Sequence, residues 1–119
     1  MNLLFYTTEK EETGERLQKV IDTIVPKGKG ETHRTIKSLT QRLRKPRYDS
    51  IIAVLMASTR EDLYDLLSIR DLLRGISIIL ILPDRNADTI SKGHILRPRF
   101  LTYKDSNFGE ITAVLGKML

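Results

Sequence analysis

Apolar residues along this chain follow two kinds of pattern that alternate from start to end. Several short runs are apolar without interruption, which is typical of strands that are covered on both faces. Other segments repeat apolar residues at helical spacing, as Leu17, Val20, Ile21 and Ile24 do. The runs that predict strands are residues 3–6, 31–36, 51–56, 76–82 and 100–103. Strand and helix therefore alternate five times.

Capping motifs predict where four of the helices begin. A capping box places Ser or Thr at the N-cap and Glu or Gln three residues later. Ser38 with Gln41 and Ser58 with Glu61 have this spacing, so we expect the second and third helices to open there. Asparagines are also good N-cap residues, and the fourth and fifth helices are expected to be capped by Asn86 and Asn107.

The alternation predicts an α/β domain with a parallel sheet. Short crossover connections place helices on both faces of such a sheet. The unbroken runs 51–56 and 76–82 fit its middle, whereas the polar run 31–36 fits an edge strand. At 119 residues the chain is expected to form one domain, residues 1–119.

Composition narrows the class of protein. The chain has no cysteine, which excludes disulfides, thiolate metal sites and thiol nucleophiles and favours a reducing compartment. The first eight residues lack a basic lead and a cleavage site, and no segment approaches the roughly 18 apolar residues of a membrane helix. We expect a cytoplasmic protein without a membrane partner.

The formal net charge of +5 is concentrated in one part of the chain. Residues 26–50 carry eight basic and two acidic side chains, many of them near the end of the second predicted helix. We name as the basic patch the residues Arg42, Arg44, Lys45 and Arg47. Its side chains suit the negative end of a helix dipole, and they also suit a nucleic-acid backbone or an acidic protein.

Chemistry in an open parallel sheet is expected outside the carboxyl ends of the central strands. The loops that follow those strands contain Thr7, Thr8, Glu9, Ala57, Ser58, Pro83, Asp84, Lys104 and Asp105. No phosphate-binding loop, dinucleotide-binding turn or nucleophile elbow occurs, and His33 and His94 are isolated from carboxylates in the sequence. This pattern predicts neither an enzyme nor a metal or cofactor site.

Two local segments and the five alternating units carry a family resemblance. The segments are Tyr48-Asp49-Ser50-Ile51-Ile52, entering the third strand, and Phe100-Leu101-Thr102, entering the last. Over its whole length the chain resembles the receiver domain of bacterial two-component response regulators. The resemblance implies a flavodoxin-like, three-layer sandwich with a five-stranded parallel sheet in the order 2-1-3-4-5.

The positions that carry chemistry in receiver domains hold other residues in this chain. Receivers hold magnesium with two acidic residues after the first strand, where this chain has Thr7 and Thr8. The phosphorylatable aspartate falls on Val54, the hydroxyl residue on Leu82 and the lysine on Tyr103. Hydroxyls do not replace carboxylates as magnesium ligands, and valine has no nucleophile. The chain is therefore interpreted as a pseudo-receiver.

The resemblance implies a histidine kinase or another signalling protein as partner. Its binding surface would involve the last strand, through Arg97, Arg99, Tyr103 and Lys104. Two alternatives stay open, namely nucleic-acid binding through residues 34–47, which contain the basic patch, and a small effector in the strand-end crevice. A homodimer also stays open.

Overall fold

The computed structural model describes residues 2–8, 12–25, 28–46, 50–106 and 108–119. Five strands and five α-helices alternate within these ranges. The strands are Asn2–Thr7 (β1), Gly30–His33 (β2), Ile51–Met56 (β3), Ser77–Leu82 (β4) and Phe100–Tyr103 (β5). The helices are Glu12–Ile24 (α1), Ile36–Arg44 (α2), Arg60–Ser68 (α3), Ala87–His94 (α4) and Gly109–Met118 (α5). A 3-10 turn, Arg70–Leu73, follows α3.

The strands form one parallel sheet in the order β2-β1-β3-β4-β5. This order confirms the predicted flavodoxin-like α/β fold. The register places Thr7 of β1 beside Met56 of β3, and Leu55 of β3 beside Leu80 of β4. β2 lies at the edge, where its residues alternate between exposed and partly buried. The edge position accounts for the polar sequence of this strand.

Both faces of the sheet are covered by helices. On one face Leu4, Leu55 and Leu80 pack with leucines of α2 and α3. On the other, Phe5, Val54 and Ile79 pack with apolar side chains of α1 and α5. Every residue of β3 is buried, because alternate side chains enter the two cores. Burial on both faces explains why residues 51–56 form an unbroken apolar run.

α2 begins earlier than its capping motif predicted, and α3 begins one residue later. Thr35 caps α2 by accepting a hydrogen bond from the Ser38 N–H at 3.1 Å, so Ser38 lies inside the helix. Thr59, not Ser58, caps α3. Asn86 caps α4 as predicted, whereas Asn107 lies outside the described residues. None of the described helices is long and apolar enough to cross a membrane.

Because helices cover β3 on both faces of the sheet, we predict that this strand cannot accommodate a charged side chain. Val54→Asp should lower the free energy of unfolding by more than about 3 kcal/mol, because Val54 is wholly buried among apolar side chains. Urea denaturation followed by circular dichroism measures this change. Ser91→Asp, on the exposed face of α4, is the control and should stay within about 0.5 kcal/mol of the parent. Equal behaviour of the two variants would contradict the packing described for β3.

Candidate functional site at the carboxyl end of the sheet

The strand order reverses between β1 and β3, and this switch point is where ligands bind in folds of this kind. The chain leaves β1 toward α1 on one face and leaves β3 toward α3 on the other. The loops after β1 and β3 diverge there, and we call the region between them the strand-end crevice. Thr8 borders it after β1, and Ala57 and Ser58 border it after β3.

Asp62, in the first turn of α3, bridges the two loops of the strand-end crevice. Its Oδ2 accepts a hydrogen bond from the Thr8 hydroxyl at 2.6 Å and another from the Ser58 backbone N–H at 3.2 Å. The Asp62 N–H in turn donates to Thr59 Oγ1 at 3.1 Å. The N-terminal cap of α3 therefore also ties the loop after β1 to the loop after β3.

Sequence reasoning missed Asp62. It assigned the capping box to Ser58 and Glu61, whereas the same spacing one residue later, Thr59 to Asp62, is the pair that forms. Asp62 is only 9% exposed, while Glu61 lies in solvent. The spacing of Thr59 and Asp62 was a signal in the sequence, but nothing local favoured it over the neighbouring pair.

Thr7 and Met56 lie at the carboxyl ends of β1 and β3. Both are wholly buried and lie side by side, with the Thr7 hydroxyl 3.6 Å from the Met56 sulfur. Val54, the residue predicted for the acceptor position, pairs with Phe5 and is buried in the core with α1 and α5.

The ends of β4 and β5 are closed by an apolar residue and by a stacked ion pair. Leu82 is wholly buried. The Arg85 guanidinium lies 4.1 Å from the centre of the Tyr103 ring and forms an ion pair with Asp105 at 2.8 Å. Lys104, whose N–H donates to the Leu82 carbonyl, borders an open groove of about 490 Å³ with Asp84 and Arg85.

Asp84, the first charged residue after β4, is also engaged. Its carboxylate accepts a hydrogen bond from the Asn86 backbone N–H at 2.9 Å and forms an ion pair with Arg60 at 3.0 Å. The hydrogen bond from the Asn86 N–H, and then the Arg60 guanidinium, lower the pKa of Asp84. The carboxylate is therefore ionised and already paired.

The four residues predicted to bind a partner lie at two ends of one strand. Arg97 and Arg99 precede β5, whereas Tyr103 ends it and Lys104 follows. At about 3.3 Å per residue, Arg99 and Lys104 are roughly 16 Å apart. Arg97 instead lines a groove with Arg70 and Arg74, at the amino-terminal end of the sheet. The structure does not bring the four residues together.

Part of the basic patch is committed to internal contacts. Arg42 Nε donates to both carboxylate oxygens of Glu31, at 3.0 and 2.9 Å, and so joins α2 to β2. Arg44 and Lys45 are exposed at the end of α2, and Arg47 lies outside the described residues. The free charge of the patch is thus smaller than its sequence suggests.

Acidic and histidine side chains do not assemble into a metal-binding group of three or more anywhere in the described part of the chain. Glu9 and Glu11, which follow β1, lie outside that part. The His33 ring is engaged by the Ser38 hydroxyl at 2.6 Å and by Glu31 at 3.3 Å. This places His33 in the contact between β2 and α2.

Comparison of the chain with protein-family models, curated protein sequences and solved structures finds no match. The functional interpretation therefore depends on the geometry of the strand ends and of the exposed surfaces.

Tyr6 is a buried ionisable group of β1, the strand that leads to the strand-end crevice. It lies in the core beneath α2 and α3, and its hydroxyl has no hydrogen-bond partner among the described residues. Burial, and then the negative charges of Asp62 and Asp65, raise the pKa of Tyr6 to about 12. The phenol is therefore neutral at physiological pH.

The bridge formed by Asp62 gives a first prediction for this site. Asp62→Ala should lower the free energy of unfolding by about 2–3 kcal/mol, because it removes two hydrogen bonds to a carboxylate and the N-terminal charge of α3. Urea denaturation measures the loss, and Asp62→Asn should lose less. Asp65→Ala, on the exposed side of the same helix, is the control. If the two alanine variants are equally stable, the bridge is not closing the crevice.

Tyr6 gives a second prediction, on alkaline stability. The pKa rises from 10.0 in the unfolded chain to about 12 in the folded one, so the folded state holds a proton that the unfolded state releases between these values. The contribution of Tyr6 is fully present below pH 10 and is lost as the pH rises toward 12. Relative to the parent, Tyr6→Phe should therefore lose less stability over this interval.

At pH 7 the same Tyr6→Phe change should not destabilise the protein, and it should gain about 1 kcal/mol because a buried hydroxyl without a partner is removed. Urea denaturation at pH 7 and across the alkaline interval measures both effects. Tyr64→Phe, at an exposed tyrosine, is the matched control. A Tyr6→Phe variant with the parent's alkaline profile would show that Tyr6 does not titrate as described.

Proposed function

We propose that this chain is a phosphorylation-independent pseudo-receiver, a regulatory domain of bacterial signal transduction that acts in the cytoplasm by binding a protein partner. The observation that carries the proposal is the closed carboxyl end of a receiver-like sheet. Thr7 and Met56 fill the central position, and Asp62 ties the flanking loops together. The scaffold is retained and the site of phosphoryl transfer is not.

Aspartyl phosphorylation needs groups that these positions do not supply. The acceptor must be a carboxylate, and magnesium requires carboxylate oxygens around it. A threonine hydroxyl and a methionine thioether meet neither need. The described carboxylates close to the strand ends are engaged elsewhere, Asp62 with Thr8 and Asp84 with Arg60.

Regulation without phosphorylation must come from binding. A ligand shifts a conformational equilibrium only by its different affinities for the two states. A histidine kinase or another signalling protein is the partner that the receiver-like architecture favours. The alternative of a small effector in the crevice has less support, because the Asp62 bridge joins the two loops that would admit it.

Nucleic-acid binding through the basic patch also has less support. Arg42 is held by Glu31, and the remaining described members of the patch are the adjacent Arg44 and Lys45. Contacts with a phosphate backbone usually involve a wider set of free cations, with affinity that falls steeply as salt increases.

Phosphoryl transfer is tested by incubating the protein with acetyl phosphate and magnesium chloride and measuring its intact mass. We expect no acid-labile phosphoryl group, because neither Val54, the predicted acceptor position, nor Met56, which lies beside Thr7, carries a carboxylate. An active receiver domain in the same reaction is the positive control. A stoichiometric phosphoryl adduct on any aspartate would refute the proposal. Affinity capture from native lysate, with and without acetyl phosphate, should recover the same signalling protein in both conditions.

A further inference from the structure

Exposed basic residues collect at the amino-terminal end of the sheet, opposite to the strand-end crevice. In a parallel α/β fold this is the end where strands begin and helices finish. Cations there are favoured by the helix dipoles, which accounts for Arg44 at the end of α2 and Lys117 at the end of α5. Other exposed arginines at this end do not lie in the last turn of an α-helix, namely Arg70, Arg74, Arg97 and Arg99.

Three of these arginines surround one groove of about 730 Å³, which we call the Arg97 groove. Its arginines are Arg70, Arg74 and Arg97. Its floor is apolar and consists of Leu73, Ile76 and Leu96, all less than 10% exposed. Ile95 also lines the groove and is 53% exposed, one of the most exposed large apolar residues in the described part of the chain. An apolar floor thus lies within a basic rim.

The positive charge of the rim is largely uncompensated. Asp71 is the acidic side chain among the residues that line the groove, and it pairs with Arg74 at 3.2 Å. Both side chains are more than three-quarters exposed, so this pair is weak. Arg70 donates to the Leu67 carbonyl, a neutral group, and keeps its charge. The groove therefore presents an excess of positive charge to solvent.

The backbone conformation of Arg97 indicates a binding role for its side chain. Its φ of 52° lies in the left-handed region, and it is the non-glycine residue with positive φ in the described chain. Glycine is the usual residue at such positions after a helix, because a Cβ is disfavoured there. Strain of this kind is concentrated at binding sites. An arginine here costs stability and adds a cation to the rim.

We propose that the Arg97 groove binds an acidic protein segment that places an apolar side chain on Ile95 and the floor. This inference rests on the proposed function, since it names the chemistry of the partner. Arginine around an apolar centre is typical of protein interfaces, and charge complementarity selects an acidic partner. A nucleic acid fits less well, because the described residues that line the groove include no aromatic ring to stack on bases.

The test uses two fluorescein-labelled peptides of about a dozen residues and the full chain. Both peptides carry the same number of Asp and Glu residues. One has two leucines four residues apart, and the other has serines in their place. By fluorescence anisotropy, the leucine peptide should bind roughly tenfold more tightly, because its side chains are removed from water on the floor.

Variants of the groove separate binding from folding. Arg97→Gly should weaken binding of the leucine peptide, because it removes a cation. It should also raise the urea midpoint, because glycine adopts the positive φ without strain. If Arg97 had only a structural role, the substitution would not weaken binding while raising stability. Ile95→Ser should reduce the difference between the two peptides without lowering the urea midpoint, because Ile95 is exposed.

A pair of charge reversals serves as the matched control. The double variant Arg74→Glu and Arg97→Glu should lower the affinity for the leucine peptide by more than about tenfold. Arg44→Glu with Lys45→Glu changes the net charge by the same amount outside the groove and should change affinity by less than about twofold.

Five results would overturn the proposal: no binding of either peptide, equal binding of both, equal losses from the two charge reversals, tighter binding of single-stranded DNA of matched charge, or self-association that Arg97→Gly abolishes. The acetyl phosphate reaction reports on the opposite end of the sheet. A phosphoryl adduct with intact peptide binding would refute the pseudo-receiver and leave the groove in place. If neither a phosphoryl adduct nor peptide binding is observed, only the proposal for the Arg97 groove is refuted.

Discussion

The exclusion of water from both faces of β1, β3 and β4 is the constraint on which the rest of this structure depends. β1 and β4 are buried from their second residue to their last, and β3 is buried throughout. A carboxylate on such a strand would need a compensating cation or several hydrogen bonds. Apolar side chains fill the strands up to Met56 and Leu82 instead. The packing that stabilises the sheet therefore leaves no exposed carboxylate on β1, β3 or β4.

The two ends of the sheet consequently differ in character. At the carboxyl end, charged groups are paired over short distances, as in Asp62 with Thr8 and Arg85 with Asp105. At the amino-terminal end, arginines surround an apolar groove with little compensation. α3 and the 3-10 turn after it connect the two ends, because Asp62 lies in the first turn of α3 and Arg70 begins the 3-10 turn.

The fold could be predicted from the sequence because it depends on long, regular signals. The bounds of β3 and β5 agree with the predicted runs, and the edge position of β2 follows from its polar residues. Helix starts were less predictable. Ser58 and Thr59 are adjacent and chemically similar, and the choice of Thr59 depends on the burial of Asp62 against Thr8, a residue 54 positions away.

The site was harder to predict because it depends on register and on loops from different units. Val54 was chosen from the local sequence, and the residue that lies beside Thr7, Met56, follows only from the pairing of β1 with β3. Arg70, Arg74 and Arg97 meet because the loops before β4 and β5 are neighbours in space. The separation of Arg99 from Lys104 could have been foreseen, since a four-residue strand lies between them.

The carboxyl ends of β1 and β3 do not favour carboxylates. Thr7 and Met56 are neighbours there and are wholly buried. If both were carboxylates, their like charges would repel each other, and each would lose its hydration. Without a bound cation the combined cost would be several kcal/mol. Separating the two loops would require breaking the hydrogen bonds of the Asp62 carboxylate to Thr8 and Ser58, at the capped start of α3. The packing around Thr7 and Met56 is therefore itself an obstacle to carboxylates at these two positions.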